Sequence, residues 1–292
     1  MAFSSNGVDQ RTVDLKVRSN APLGDDTFSL SGRTLRNISE ISGRACNIIF
    51  IGQSTNNNMV QGFTTPANPT RLFNLSLSHP MHGQIYQAKE PLLTSDTTMG
   101  HHGIALGDGL VSGGYRDNVV LTPIAIGGSY CADHAPGGGS VGGAAPGVRT
   151  GALSYRIGLA ARSIRNAGLD GLPTIIDWQQ GEWDSDNTPT TYEDYKAALL
   201  KVIGEFKRVG LLRSGNVMFI HRCTRLTNTS SSRNIIRQAQ ADVVDGLLVR
   251  AGADIDTLDL SYRYDDAHFT AAGATKQAAL KIPLIANYLV NG

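Results

Sequence analysis

From about residue 47 the chain alternates between short continuous apolar runs and longer stretches in which apolar residues recur every three to four positions. The runs NIIFIG (47–52), NVVLTPIAIGG (118–128), PTIIDW (173–178) and NVMFIHRC (216–223) are rich in β-branched residues, as parallel strands covered on both faces should be. Between the third and fourth, Tyr192, Tyr195, Leu199, Val202 and Phe206 mark one face of a helix, and Thr190 with Glu193 makes a capping-box pattern at its start. Further helices are expected at about 94–112, 152–167, 231–245 and 270–289, the last bent by Pro283. Such alternation predicts an α/β protein whose parallel sheet is flanked by helices on both sides, with ligands at the carboxyl ends of the strands.

Two regions break the rhythm. Residues 1–45 are polar and irregular, apart from the alternating stretch TVDLKVR, a candidate edge strand. They read as an N-terminal arm or oligomerisation element ahead of a domain over residues 46–292. The stretch APGGGSVGGAAPG (135–147) is a flexible loop by composition. It lacks the Lys-Ser/Thr ending of a phosphate-binding loop, which argues against nucleotide binding.

Composition narrows the function classes. Charge is balanced, with Lys+Arg 26 against Asp+Glu 25 and no run of one sign, so neither nucleic acid nor an anionic membrane is an expected partner. No signal-peptide core is visible in the first twenty residues and nowhere do about 18 apolar residues run together, so the chain reads as soluble. Cys46, Cys131 and Cys223 are odd in number and far apart, which gives neither a disulfide framework nor a metal knuckle.

The first strand ends abruptly on Gly52-Gln53-Ser54, and this places a serine at the carboxyl edge of the sheet. A serine hydroxyl needs a base to take its proton and a third group to orient that base. Near the C-terminus, YRYDDAHFTAAGATKQAA sets Asp265, Asp266 and His268 just before a helix. A carboxylate three residues before a histidine can fold back onto Nδ1, which favours Asp265 as the orienter. Read alone, the same residues make a helix-capping pair beside a surface histidine. A third strand end, DWQQGEWD, offers Gln180, Glu182 and Asp184, and a side-chain amide there can donate to an oxyanion.

GQS after the first strand, WQQGEWD after a later one and DDAHF before the last helix resemble the first, third and fifth blocks of the SGNH (GDSL-type) hydrolases. The nearest branch is the carbohydrate acetylesterases, including the sialate O-acetylesterase-like proteins. VVLTPIAIGGS and IIRQAQ (235–240) are similar to two further segments of that branch, so the resemblance covers about residues 45–290. It implies a flavodoxin-like three-layer α/β/α sandwich with a five-stranded parallel sheet. It also implies Ser54 as nucleophile, His268 as base and Asp265 as its orienter. The oxyanion donors would be the Ser54 amide, the Gln180 side chain and the amide of Gly103, with Gly100 as the alternative. Thr55 stands where the branch has asparagine, and His101 and His102 occupy places it does not give to histidine.

Rival constellations read as structural. Glu182 and Asp184 lie on one short loop, and two such acids seldom flank a sugar from opposite sides as paired glycosidase carboxylates do. Cys131, Asp133 and His134 have no second ligand cluster at metal spacing, and they read as structural or substrate-lining. His79, His82 and His221 have no visible partner. Trp178 is expected in the core. The resulting expectation is a serine esterase that removes acetyl groups from carbohydrates, such as plant polysaccharide, sialic acid or bacterial surface glycan, without metal or organic cofactor. The alternative from another class is a non-catalytic glycan-binding or virion module, its arm attaching it to an assembly such as a phage tail.

Overall fold

The computed structural model describes residue 30 and residues 32–77, 82–95, 97–137, 153–186, 190–225 and 233–292. TVDLKVR, His79 and most of the glycine-rich loop lie outside them. The described residues form one eight-stranded sheet. Its strands are β1 (Leu35–Arg36), β2 (Ala45–Gly52), β3 (Leu72–Leu75), β4 (Ile85–Gln87), β5 (Asn118–Pro123), β6 (Thr174–Gln179), β7 (Val217–Arg222) and β8 (Val249–Asp254). They lie in the order β1-β4-β3-β5-β2-β6-β7-β8. Only β4 runs against its neighbours; the other pairings are parallel.

The five-stranded sheet expected from sequence is corrected to eight. Its core is nonetheless visible: β5-β2-β6-β7-β8 follow one another in the flavodoxin order 2-1-3-4-5, and β3, β4 and β1 extend that core beyond β5. The extension went unread because its strands are four, three and two residues long, too short to display a period. The edge strand β8 is only partly buried, with Val249 and Ala253 inside, and carries no continuous apolar run. Residues 35–36 pair with β4, so the sheet reaches into the segment assigned to the arm.

The helices are α1 (Gly103–Ser112), α2 (Cys131–His134), α3 (Tyr155–Asn166), α4 (Glu182–Asp186), α5 (Tyr192–Arg208), α6 (Arg233–Asp242) and α7 (Ala271–Asn291). The cap of α5 is Thr191, which accepts from Asp194 N, one residue later than the Thr190–Glu193 pattern. Pro283 sits inside α7 without ending it. No helix among the described residues is long and apolar enough to cross a membrane.

Alternate residues of each central strand enter different cores. Ile49, Ile51, Ile176 and Trp178 pack with Ile157 of α3, Leu199 of α5 and Ile236 of α6. Ile48, Phe50, Ile175 and Phe219 pack with Ile104 of α1 and Ile285 of α7. Burial of each such side chain contributes about 1.5–3 kcal/mol, which is why β2 tolerates no polar face. This double cover makes β2 rigid, and its carboxyl end carries Ser54.

Candidate active site

Gly52 ends β2 with φ +133°, and a Cβ there would run into the Gln179 carbonyl. Glycine is therefore required for the chain to turn out of the sheet beside β6. Gln53 N still donates to Gln179 O at 3.2 Å, after which Ser54–Asn56 form a single 3₁₀ turn. Ser54 is 6% exposed. Its backbone N–H donates to no acceptor among the described residues.

The turn is held from below by side chains. Asn56 Nδ2 donates to the carbonyls of Ile51 at 2.9 Å and Asp177 at 2.8 Å. Thr55 O accepts from Gln179 Nε2 at 3.1 Å and from Gln277 Nε2 of α7 at 3.3 Å. Thr55 Oγ1 donates to Glu182 Oε1, which also accepts from the Cys223 thiol at 2.9 Å. In the place of the branch's asparagine, Thr55 thus ties the nucleophile turn to α4. Burial pushes the Glu182 carboxyl up to about 7 against these donors.

The expected base, His268, lies on the turn before α7. His268 Nδ1 lies 2.7 Å from Asp265 Oδ2, while Asp265 Oδ1 accepts from His268 N at 2.7 Å and Ala267 N at 3.2 Å. Burial raises the Asp265 carboxyl, but the His268 amide and ring outweigh it and hold it below the usual range. Asp266 takes φ +65°, and the carboxylate in contact with the imidazole is that of Asp265, three residues before it.

Backbone bridges bring the loops together. Val60 pairs with Gly100, Gln61 N donates to Phe269 O at 2.9 Å, and Ala271 N donates to Gln61 O at 3.1 Å. The segment leaving Ser54 is thereby stitched to the segments carrying His101 and His268. No hydrogen bond joins Ser54 Oγ to His268 Nε2 among the described residues; in unliganded serine hydrolases this contact commonly tightens only on substrate binding.

The expected oxyanion donors are differently placed. Gly103 N donates to His101 Nδ1 at 2.8 Å and Gly100 N to Val60 O at 2.9 Å, so neither glycine amide is free. Gln180 Nε2 faces three acceptors, Asp184 Oδ2 at 2.5 Å, Ser129 O at 3.1 Å and Gln53 Oε1 at 3.3 Å. The Ser54 amide is the expected donor that remains unengaged.

His101 and His102 have structural work. Because Gly103 N donates to Nδ1, the His101 proton is on Nε2, which donates to Asn56 O at 3.2 Å. Burial keeps this imidazole neutral, with its pKa pulled down to about 3. His102 Nε2 accepts from Lys281 Nζ at 3.1 Å, and Lys281 Nζ lies 2.8 Å from Asp177 Oδ1. His221 Nε2 is 3.2 Å from Asp177 Oδ2, off the line of a good hydrogen bond. All four side chains are fully buried. Burial pushes the Asp177 carboxyl up, but Lys281 and His221 outweigh it and hold it far below the usual range.

Sequence reasoning missed this layer, though Asp177 inside the apolar run TIIDW was a signal, since a carboxylate in a doubly covered strand requires a partner. Cys131, Asp133 and His134 are buried, and Cys131 N donates to Asp184 Oδ2 at 2.9 Å, so this rival cluster packs against α4. No group of His, Cys, Asp or Glu among the described residues could hold a metal ion.

With this geometry in view, the comparisons with known proteins fall into place. The family model for the carbohydrate esterases called sialic acid-specific acetylesterases matches residues 48–280. The chain belongs to this family of carbohydrate esterases. The matched span runs from β2 into α7 and contains Ser54, Gln180, Asp265 and His268. A search of curated protein sequences gives no match. Among solved structures, a protein of Arabidopsis thaliana superposes with TM-score 0.57 at 18% identity, over 85% of this chain and 99% of that one. That likeness is one of fold. A carbohydrate acetylesterase from Xanthomonas citri matches at TM-score 0.49 and 12% identity, over 86% of this chain and 57% of that one. A carbohydrate acetylesterase family member from Sinorhizobium meliloti matches at 0.48 and 13%, over 85% and 100%.

Proposed function

We propose that the protein is a serine esterase that hydrolyses O-acetyl esters of carbohydrates through an acyl-enzyme. The observation that carries this reading is the His268 Nδ1 contact to Asp265 Oδ2 at 2.7 Å, on a turn stitched to the segment that leaves Ser54. With Nδ1 engaged, Nε2 is the basic nitrogen. It takes the Ser54 Oγ proton as oxygen attacks the ester carbon, and Asp265 stabilises the imidazolium. The Ser54 N–H meets the developing oxyanion. Gln180 serves as a second donor only by giving up one of its present acceptors. His268 then passes its proton to the leaving sugar oxygen, and water releases acetate by the same route in reverse.

Acetate release from p-nitrophenyl acetate and a panel of acetylated glycans tests the reading. Acetyl esters should turn over at least about tenfold faster than octanoyl esters, a barrier difference of about 1.4 kcal/mol. Equal or faster octanoate hydrolysis would replace it with a lipase-like activity. Absence of turnover by a folded protein would return the glycan-binding alternative.

A further inference from the structure

Tyr264 lies beside the base rather than in the triad. Its ring lies alongside the His268 imidazole, centroids 5.9 Å apart and planes 25° apart. Its hydroxyl donates to Met59 O at 3.3 Å and lies 3.7 Å from Met99 Sδ. Tyr264 N donates to His268 O at 2.9 Å, so ring and imidazole belong to one closed turn. Three loops therefore meet at this tyrosine: the nucleophile segment through Met59, the Gly100 segment through Met99 and the histidine turn itself.

Exposure sets this trio apart. Gln53 to Asn58, Gln179 and Gln180 are buried, whereas Met59, Met99, Tyr264 and His268 are all half-buried. Side chains flanking a catalytic imidazole are next to the oxygen that the imidazole protonates, which belongs to the leaving alcohol. An aromatic ring already fixed by its hydroxyl loses little freedom when a ligand lies on it, and methionine thioethers adapt to irregular apolar faces. A pyranose presents such a face in its ring C–H groups.

We propose that Tyr264 and Met99, with the Met59 backbone that anchors the Tyr264 hydroxyl, form the surface that receives the alcohol half of the ester, taking the C–H face of an O-acetylated pyranose. This rests on the esterase reading above. It makes Tyr264 and Met99 determinants of leaving-group preference.

The test compares two acetyl esters that form the same acyl-enzyme: a methyl pyranoside bearing one O-acetyl group, and ethyl acetate, whose leaving group is too small to cover the trio. Tyr264→Leu should lower kcat/KM for the acetylated pyranoside at least about tenfold more than for ethyl acetate, mainly through KM. Tyr264→Phe keeps the ring and should retain most of the pyranoside preference. Met99→Ala, on a different loop, should shift the preference in the same direction by a smaller factor, and it keeps the test alive if Tyr264→Leu misfolds. Equal losses on both esters would make Tyr264 a positioning residue for His268 and overturn the proposal. An unchanged pyranoside KM in Tyr264→Leu and Met99→Ala would also overturn it. If the wild type hydrolyses neither ester, the esterase reading falls first and the proposal with it.

Discussion

Ser54 to Asn58 are buried, whereas Asp265 and Asp266 are exposed and His268 is half-buried. The nucleophile turn is fixed by side chains from β6, α4, α7 and the segment before α1. The histidine turn is fixed mostly by its own bonds, Tyr264 N to His268 O and Asp265 to two backbone amides. The position of the proposed nucleophile, Ser54, is thus a property of the whole fold, and that of the proposed base, His268, a property of one local hairpin. Damage to the side chains that hold the first turn should appear as lost stability, and damage to the second as lost rate.

The sharpest break is at Ser54 itself. Ser54→Ala should lower kcat by about 10⁶ on p-nitrophenyl acetate while leaving the melting temperature close to wild type. Substantial residual turnover would place the nucleophile elsewhere. Next is Asp265→Asn, which disturbs only the hairpin and should cost about 10⁴ in kcat, since an amide favours the wrong imidazole tautomer. The reverse ranking of Asp265→Asn and Asp266→Asn would reassign the orienter.

Beneath the nucleophile, Lys281→Met leaves Asp177 as a buried charge without its ammonium, and urea unfolding should report a loss of about 3–5 kcal/mol. Adding Asp177→Leu should recover part of it. An unaltered midpoint in the single variant would show that the pair is not ionised.

Glu182 gives a smaller, pH-dependent effect. Its folded pKa, raised by burial to about 7, lies above the unfolded value of about 4.3, so the protonated carboxyl is the form the fold prefers. The stability it contributes is complete below about pH 4 and is lost as pH rises to about 7, about 4 kcal/mol in all. Glu182→Gln keeps an acceptor for Thr55 and Cys223 and does not titrate. Its stability relative to wild type should therefore grow between pH 4 and pH 8, and a constant difference would refute the raised pKa. Smallest of all, Asp266→Asn should change kcat less than about twofold, because asparagine also tolerates the left-handed backbone at φ +65°.

The same contrast explains what could be read from sequence. β2, β5, β6 and β7 were legible because burial on both faces leaves continuous apolar runs, and Asp265 with His268 was legible because their contact spans three residues. β1, β3 and β4 are too short to show a pattern. The oxyanion glycine failed because whether an amide is free depends on the partner across the loop: His101 Nδ1 for Gly103, the Val60 carbonyl for Gly100. The Asp177–Lys281 contact joins residues 104 positions apart, which no local spacing encodes.

Helix α7 begins at the Thr270 cap, two residues after the base, and points Gln277 and Lys281 inward four residues apart on one stripe. Gln277 reaches the Thr55 carbonyl and Lys281 reaches Asp177, so this single rod gauges the separation between hairpin and sheet edge. Its register is correspondingly unforgiving. One residue inserted between Thr270 and Gln277 would swing both contacts about 100° around the axis and shift them about 1.5 Å along it. A length change in α7 should therefore be poorly tolerated.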